Sequence, residues 1–120
     1  MPNTILIVED NVLNMKLFVD VLENSGYKTV QSVDGKNILE LAREHAPGLI
    51  IMDIQLPRTS GLDLTKMLKA EDALKDIPVL AVTAFSLEGG IEAVFAAGCD
   101  DIIAKPINVS DFLEAVARYS

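Results

Sequence analysis

Short apolar runs alternate along the whole chain with stretches in which apolar residues recur at helical spacing. The run TILIV at 4–8 is typical of a strand buried on both faces, and apolar positions three or four apart follow it. This alternation repeats five times with short connections. The pattern predicts strands at 4–8, 27–33, 49–52, 78–84 and 101–105 and helices at about 11–25, 36–45, 60–70, 86–97 and 108–119.

Alternation of strands and helices indicates an α/β fold, a five-stranded parallel sheet with helices on both faces. Asn11 and Ser60 are candidate N-caps, and Gly26 is a candidate stop for the first helix. The 120 residues are enough for one core, and no linker, repeat or low-complexity stretch interrupts them. We therefore expect a single domain over 1–120.

Composition excludes several classes of protein. The net charge of −8 argues against nucleic-acid binding, which needs basic patches. No run approaches the ~20 apolar residues that span a bilayer, so no membrane association is expected. The single cysteine, Cys99, excludes an intrachain disulfide and indicates a buried thiol in a reducing compartment. The cytoplasm is the expected location.

Unusual polar residues follow the predicted strands. Glu9 and Asp10 follow the first strand, Asp53 ends the third, Thr83 ends the fourth and Lys105 ends the fifth. In a parallel sheet these positions share one edge, where open α/β folds bind their ligands. The order 2-1-3-4-5, taken over from flavodoxin-like folds, would place strands 1 and 3 side by side at the switch point.

Three carboxylates would then share one small site. Two unit charges ~4 Å apart repel by about 4 kcal/mol at an effective dielectric of 20, so a bound proton or cation is needed. Hard oxygen ligands at a shallow site suit Mg²⁺. With Lys105 able to reach a phosphoryl oxygen and Thr83 as a hydroxyl donor, the set predicts phosphoryl transfer to Asp53 as nucleophile.

Four motifs carry a resemblance to a known family: ILIVEDN, LIIMDIQLP, VLAVTAF and IIAKP. Together, in this order at strand ends, they resemble the CheY-like receiver domains of two-component response regulators, over essentially the whole chain. Three segments are also similar to those of the DivK-type single-domain regulators, namely EDNVLNMKLF, MDIQLP and AVTAF.

The resemblance implies a phosphorelay switch that is not an enzyme but assists its own phosphorylation and autodephosphorylation. Asp53 would accept phosphate from a histidine kinase or a histidine phosphotransfer protein. Glu9, Asp10 and Asp53 would hold Mg²⁺ together with the backbone carbonyl of Gln55. The resemblance also implies a cis bond before Pro106.

On phosphorylation, Thr83 would turn toward the phosphoryl group and Phe85 would rotate inward. This movement would change the surface of helix 4, strand 5 and helix 5, which would control a partner protein such as another kinase. A monomer or weak dimer is expected. Gly89 and Gly90 fall inside the fourth predicted helix, which we therefore expect to be short, late-starting or mobile.

Some residues admit a second interpretation. Leu13, Asn14 and Ile107 lie beside the acidic edge and either contact an incoming kinase or simply pack. Asp100 and Asp101 precede the fifth strand, so we expect them in a solvated turn at the opposite edge. We also expect the side chains of Met15, Met52 and Met67 to fill space in the core.

Other function classes are less consistent with these residues. A flavodoxin-like cofactor carrier needs a phosphate-binding loop where the acidic VEDN stands, and a haloacid-dehalogenase-like phosphatase needs an acid where Gln55 stands. A receiver that serves only as a docking scaffold, or one excised from a hybrid histidine kinase, stays open. Because Met1 lies just before the first strand, a free-standing regulator without an output domain is favoured.

Overall fold

Five strands and five helices alternate along the chain, as predicted. The structure is a computed structural model that describes residues 4–56, 60–83 and 91–119. The strands are β1 (Thr4–Val8), β2 (Lys28–Ser32), β3 (Leu49–Asp53), β4 (Val79–Thr83) and β5 (Asp101–Ala104). The helices are α1 (Val12–Asn24), α2 (Ile38–His45), α3 (Gly61–Lys69), α4 (Ile91–Ala96) and α5 (Val109–Tyr119).

All strand pairs are parallel, and the sheet order is β2-β1-β3-β4-β5. The order taken over in the sequence analysis is therefore confirmed. Val8 is paired with Met52, Asp53 with Val82, and Thr83 with Ala104. This register brings the carboxyl ends of β1, β3, β4 and β5 to one edge of the sheet.

Apolar residues fill both faces of the sheet, because the three central strands are buried on both sides. One core lies under α2, α3 and α4, and the other lies under α1 and α5. In the second core the rings of Phe18 and Phe112 stack with their centroids 5.1 Å apart. As expected for a lone cysteine, Cys99 is buried.

Side-chain caps begin two of the helices. Asn11 Oδ1 accepts a hydrogen bond from Asn14 N at 3.0 Å, and Ser60 Oγ accepts one from Leu62 N at 3.1 Å. Gly26 follows α1 with φ +94°, a conformation that favours glycine. These three predicted boundaries are confirmed.

Two expectations about individual side chains are wrong. Met67 is 45% exposed on the outer side of α3, whereas Met15 and Met52 are buried as predicted. Asp101 is the first residue of β5 rather than part of a turn, whereas Asp100 is exposed at the edge opposite Asp53 as expected and is also hydrogen-bonded. Asp100 Oδ2 accepts hydrogen bonds from Val79 N at 2.8 Å and from Lys69 Nζ at 3.2 Å.

The fourth helix is described from Ile91 onward. Gly89 and Gly90, on which the expectation of a short or late-starting helix rests, lie outside the described residues, as does Phe85. Among the described helices, none combines the length and apolar character needed to cross a membrane.

Candidate functional site

The carboxyl edge of the sheet brings three acidic side chains together. Glu9 and Asp10 follow β1, and Asp53 is the last residue of the neighbouring β3. One carboxylate oxygen from each residue lies within 4.8 Å of the other two. Because β1 and β3 are hydrogen-bonded neighbours, the sheet itself sets this spacing.

Lys105 reaches this acidic cluster from the end of β5. Its Nζ lies 3.1 Å from Glu9 Oε1 and 3.4 Å from Asp53 Oδ2. Thr83, the last residue of β4, is fully buried between these strands. The peptide bond between Lys105 and Pro106 is cis.

Backbone donors orient the two buried carboxylates. Glu9 is 1% exposed, and its Oε2 accepts a hydrogen bond from Asn11 N at 3.2 Å. Asp53 is 2% exposed, and its Oδ1 accepts one from Gln55 N at 2.9 Å. Charged groups so far removed from water need such partners.

Burial and crowding change the acid–base properties of the site. Burial raises the pKa of Glu9 from 4.5 to about 7, and the adjacent Asp53 carboxylate adds to this rise. Burial alone would lower the pKa of Lys105, but Glu9 and Asp53 together raise it above its ordinary value. Lys105 is therefore charged at neutral pH, whereas Glu9 is only partly ionised.

The residues present fit a divalent cation. Glu9 Oε1 is buried, and among the described residues its contact is the 3.1 Å ion pair with Lys105 Nζ rather than a hydrogen bond. Among the described residues, Lys105 contacts two of the three clustered carboxyl groups, so acidic groups outnumber the basic group at this site. Hard oxygen donors in this arrangement suit Mg²⁺.

Ser32 supports the site, and sequence analysis missed it. Its backbone carbonyl accepts a hydrogen bond from Glu9 N at 3.0 Å, and its buried hydroxyl accepts one from Gly35 N at 3.1 Å. Ser32 therefore fixes the backbone at the acidic pair from the neighbouring strand. The available signal was a small polar residue at the end of a strand, two positions before the Asp34–Gly35 turn.

The three candidate docking residues have different surroundings. Leu13 is 77% exposed on α1, beside the acidic edge. Asn14 is half-buried in the first turn of that helix, and Ile107 packs partly against the core beneath α1 and α5. Only Leu13 therefore offers a large exposed apolar surface.

Comparison with known proteins decides the family. The family model for the response regulator receiver domain matches residues 5–117. The chain belongs to the response regulator receiver domain family. Receiver domains are signalling proteins of two-component systems rather than conventional enzymes, and they bind Mg²⁺ at an acidic pocket.

Relatives place the chain among the DivK-like receivers. It is 54% identical over 119 residues to the polar-differentiation response regulator DivK of Brucella anthropi, covering 99% of this chain and 97% of that protein. The corresponding DivK of Brucella ovis is 52% identical over the same span. Both predictions, receiver domain and DivK-like subgroup, are confirmed.

Solved structures share the fold. The Vibrio cholerae chemotaxis protein CheY4 superposes with a TM-score of 0.93, 22% identity and full coverage of both chains. The receiver domain of a sensor histidine kinase from Pseudomonas aeruginosa gives a TM-score of 0.90 and 29% identity, covering 99% of this chain and 98% of that one. In that structure a magnesium ion is coordinated in the active site cleft.

Proposed function

We propose that this receiver domain is a phosphorylation-activated switch whose phosphoacceptor is Asp53. The observation that carries the proposal is the setting of the Asp53 carboxylate. It is nearly fully buried, accepts the Gln55 amide at 2.9 Å and lies 3.4 Å from Lys105 Nζ within a cluster of acids. A strand-end aspartate so restrained is suited to act as a nucleophile.

The phosphoryl donor is a phosphohistidine on a histidine kinase or on a histidine phosphotransfer protein. A carboxylate oxygen of Asp53 attacks the phosphorus, and the bond between phosphorus and the imidazole nitrogen breaks. The nitrogen keeps the electron pair and takes up a proton, while Asp53 becomes an acyl phosphate. Lys105, charged and next to Asp53, stabilises negative charge on the transferring group.

Mg²⁺ is the proposed cofactor. Glu9, Asp10, Asp53 and the Gln55 backbone carbonyl would hold it, which fits the acidic cluster and the buried Glu9 Oε1, an atom that makes no hydrogen bond among the described residues. When bound, Mg²⁺ supplies positive charge that offsets the carboxylates and the phosphoryl oxygens. The likeness to a receiver that coordinates magnesium in its active site cleft supports this assignment.

Output would proceed through Thr83 and Phe85. Thr83 is buried at the end of β4, where its hydroxyl can turn toward a phosphoryl group on Asp53. Large apolar side chains on α4 and α5 are exposed, namely Ile91, Phe95 and Val109. Such a surface suits a downstream protein target, of which another kinase is one candidate.

The phosphoryl donor would dock at the other side of the site. Val12 and Leu13 expose more than three quarters of their surface at the start of α1, directly after the acidic pair. With Asn14 and Ile107 beside them, they form the proposed contact for an incoming kinase.

The buried thiol of Cys99 supports the reducing cytoplasm as the compartment.

Intact mass spectrometry after incubation with acetyl phosphate tests the acceptor. The wild type should gain one phosphoryl group only with Mg²⁺, and Asp53→Asn should gain none. Asp63→Asn, which changes an exposed aspartate at the start of α3, should behave like wild type. An adduct that persists in Asp53→Asn would move the acceptor elsewhere. No adduct and no response to beryllofluoride would favour the non-switching docking scaffold.

A further inference from the structure

Gly61, the first residue of α3, approaches the backbone of Asp53 more closely than any side chain permits. A Cβ at position 61 would lie 2.3 Å from the Asp53 carbonyl oxygen and 2.8 Å from Ile54 Cα. Ordinary contacts begin at 3.4 Å, so the two elements would have to separate by about 1 Å. A close approach, rather than an unusual backbone angle, therefore requires glycine here.

Hydrogen bonds hold α3 against this strand end. Gly61 N donates to the Ile54 carbonyl at 3.1 Å, and Gln55 and Ser60 form an antiparallel bridge across the same loop. Inside the helix, the fully buried Thr65 donates its hydroxyl to the Gly61 carbonyl at 2.8 Å. Thr65 thus connects the body of α3 to the residue in contact with Asp53.

The peptide between Asp53 and Ile54 is also held from its other side, by the sheet. Ile54 N donates to the Val82 carbonyl of β4 at 3.0 Å. The peptide after Asp53 therefore lies between β4 and the start of α3. The next amide, Gln55 N, is the one that donates to Asp53 Oδ1. A shift at Gly61 consequently reaches the carboxylate through two linked peptides.

We propose that Gly61 is a positioning residue for the Asp53 carboxylate and that Thr65 holds it in register. The proposal rests on the proposed function of Asp53 as phosphoacceptor. Neither residue touches the reacting atoms; both act through the backbone that carries Asp53 and the Gln55 amide. Displacement of a reacting group by about 1 Å lowers a rate by as much as about 100-fold.

The test uses two measurements on variants of the 120-residue chain. The first is the amide proton shift of Gln55 in metal-free protein, which reports its hydrogen bond to Asp53. The second is the rate of phosphorylation by acetyl phosphate at saturating Mg²⁺. Gly61→Ala should move the Gln55 resonance and lower the rate by about 100-fold. Thr65→Val should have the same effects in smaller size, and Thr65→Ser should restore both.

Gly26→Ala is the matched control. Alanine is strained at φ +94°, so this substitution should destabilise the protein, but nothing lies within 4 Å of the added Cβ. It should leave both the Gln55 resonance and the phosphorylation rate at wild-type values. Equal effects of Gly61→Ala and Gly26→Ala would overturn the proposal, since general destabilisation would then explain them.

The remaining outcomes are also decisive. If Gly61→Ala does not fold, the Thr65→Val and Thr65→Ser pair decides, and wild-type values in Thr65→Val overturn the proposal. If the wild type itself gains no phosphoryl group, the proposed function fails separately. The Gln55 resonance then supports or overturns the positioning of Asp53 alone.

Discussion

Glu9 occupies a position that favours its protonated form when no cation is bound. Burial is the main reason, and the neighbouring Asp53 carboxylate adds to it. A carboxyl whose pKa is higher in the folded than in the unfolded chain binds its proton more tightly when folded. The contribution of Glu9 to the free energy of unfolding is fully present below about pH 4.5 and is lost as the pH rises through about 7.

Stability without metal should therefore fall between pH 5 and pH 8. We expect urea denaturation in EDTA to show a loss on the order of 2 kcal/mol over this interval, relative to Glu9→Gln. Glu9→Gln removes the titrating group while keeping similar volume. Millimolar Mg²⁺ should abolish the difference, because a cation held at the proposed site would stabilise the ionised carboxylates. If the free energy of unfolding changed with pH in the same way for both proteins in EDTA, the raised pKa of Glu9 would be contradicted.

Lys105 is the single positive group that contacts both buried carboxylates among the described residues. Lys105→Met should lower the rate of phosphorylation by acetyl phosphate by about 100-fold at saturating Mg²⁺, because charge on the transferring group is less well stabilised. Rates from intact mass over time measure this. Lys16→Met, on the exposed side of α1, is the control and should keep the wild-type rate.

At the scale of elements, the N-caps of α1 and α3 stabilise the backbone next to the acidic residues of the site. Asn11 caps α1 directly after the acidic pair Glu9–Asp10, and Ser60 caps α3 beside Asp53. The start of α2 differs, since Asn37 makes no side-chain cap bond and has φ 61°. Asparagine tolerates this left-handed conformation, but glycine adopts it more readily.

These two asparagines should respond differently to substitution. Asn11→Ala should lower the free energy of unfolding by about 1 kcal/mol, because Asn14 N loses its acceptor. Asn37→Gly should leave stability unchanged or slightly higher, because no cap bond is lost. Urea denaturation of both variants checks this. A neutral Asn11→Ala would show that solvent replaces the cap without cost.

At the scale of the whole molecule, two separate cores stabilise the sheet from opposite faces. Helices α1 and α5 are joined through the stacked rings of Phe18 and Phe112. Because these helices flank the acidic edge, the packing between them supports the site as well as the fold.

Loss of this aromatic contact should be among the more damaging changes. Phe112→Ala should lower the free energy of unfolding by about 3–5 kcal/mol, because it leaves a cavity beneath α5. Phe95→Ala provides the control, since Phe95 is 46% exposed and its removal should change stability by about 0.5 kcal/mol or less. Guanidinium denaturation measures both, and similar losses would contradict the distinction between core and surface.

Much of the fold could be predicted from sequence because its signals are local. Apolar runs such as TILIV and helical spacing identify elements from neighbouring residues, and Asn11 and Gly26 identify helix ends in the same way. Strand ends then placed Glu9, Asp10, Asp53, Thr83 and Lys105 at one edge, because parallel strands share their direction. The strand order itself came from resemblance, not from any local pattern.

Tertiary structure decided what depends on residues distant in the chain. Periodicity alone does not show that Met67 faces outward, or that Asp100 is bonded to Lys69 and to β4. The distance of Lys105 from Glu9 also emerges only when β1 and β5 are assembled. Gly61 is the clearest case, because the need for glycine comes from the Asp53 carbonyl packed against it. The amino-acid sequence determined which groups could react, and tertiary packing determined the distances between them.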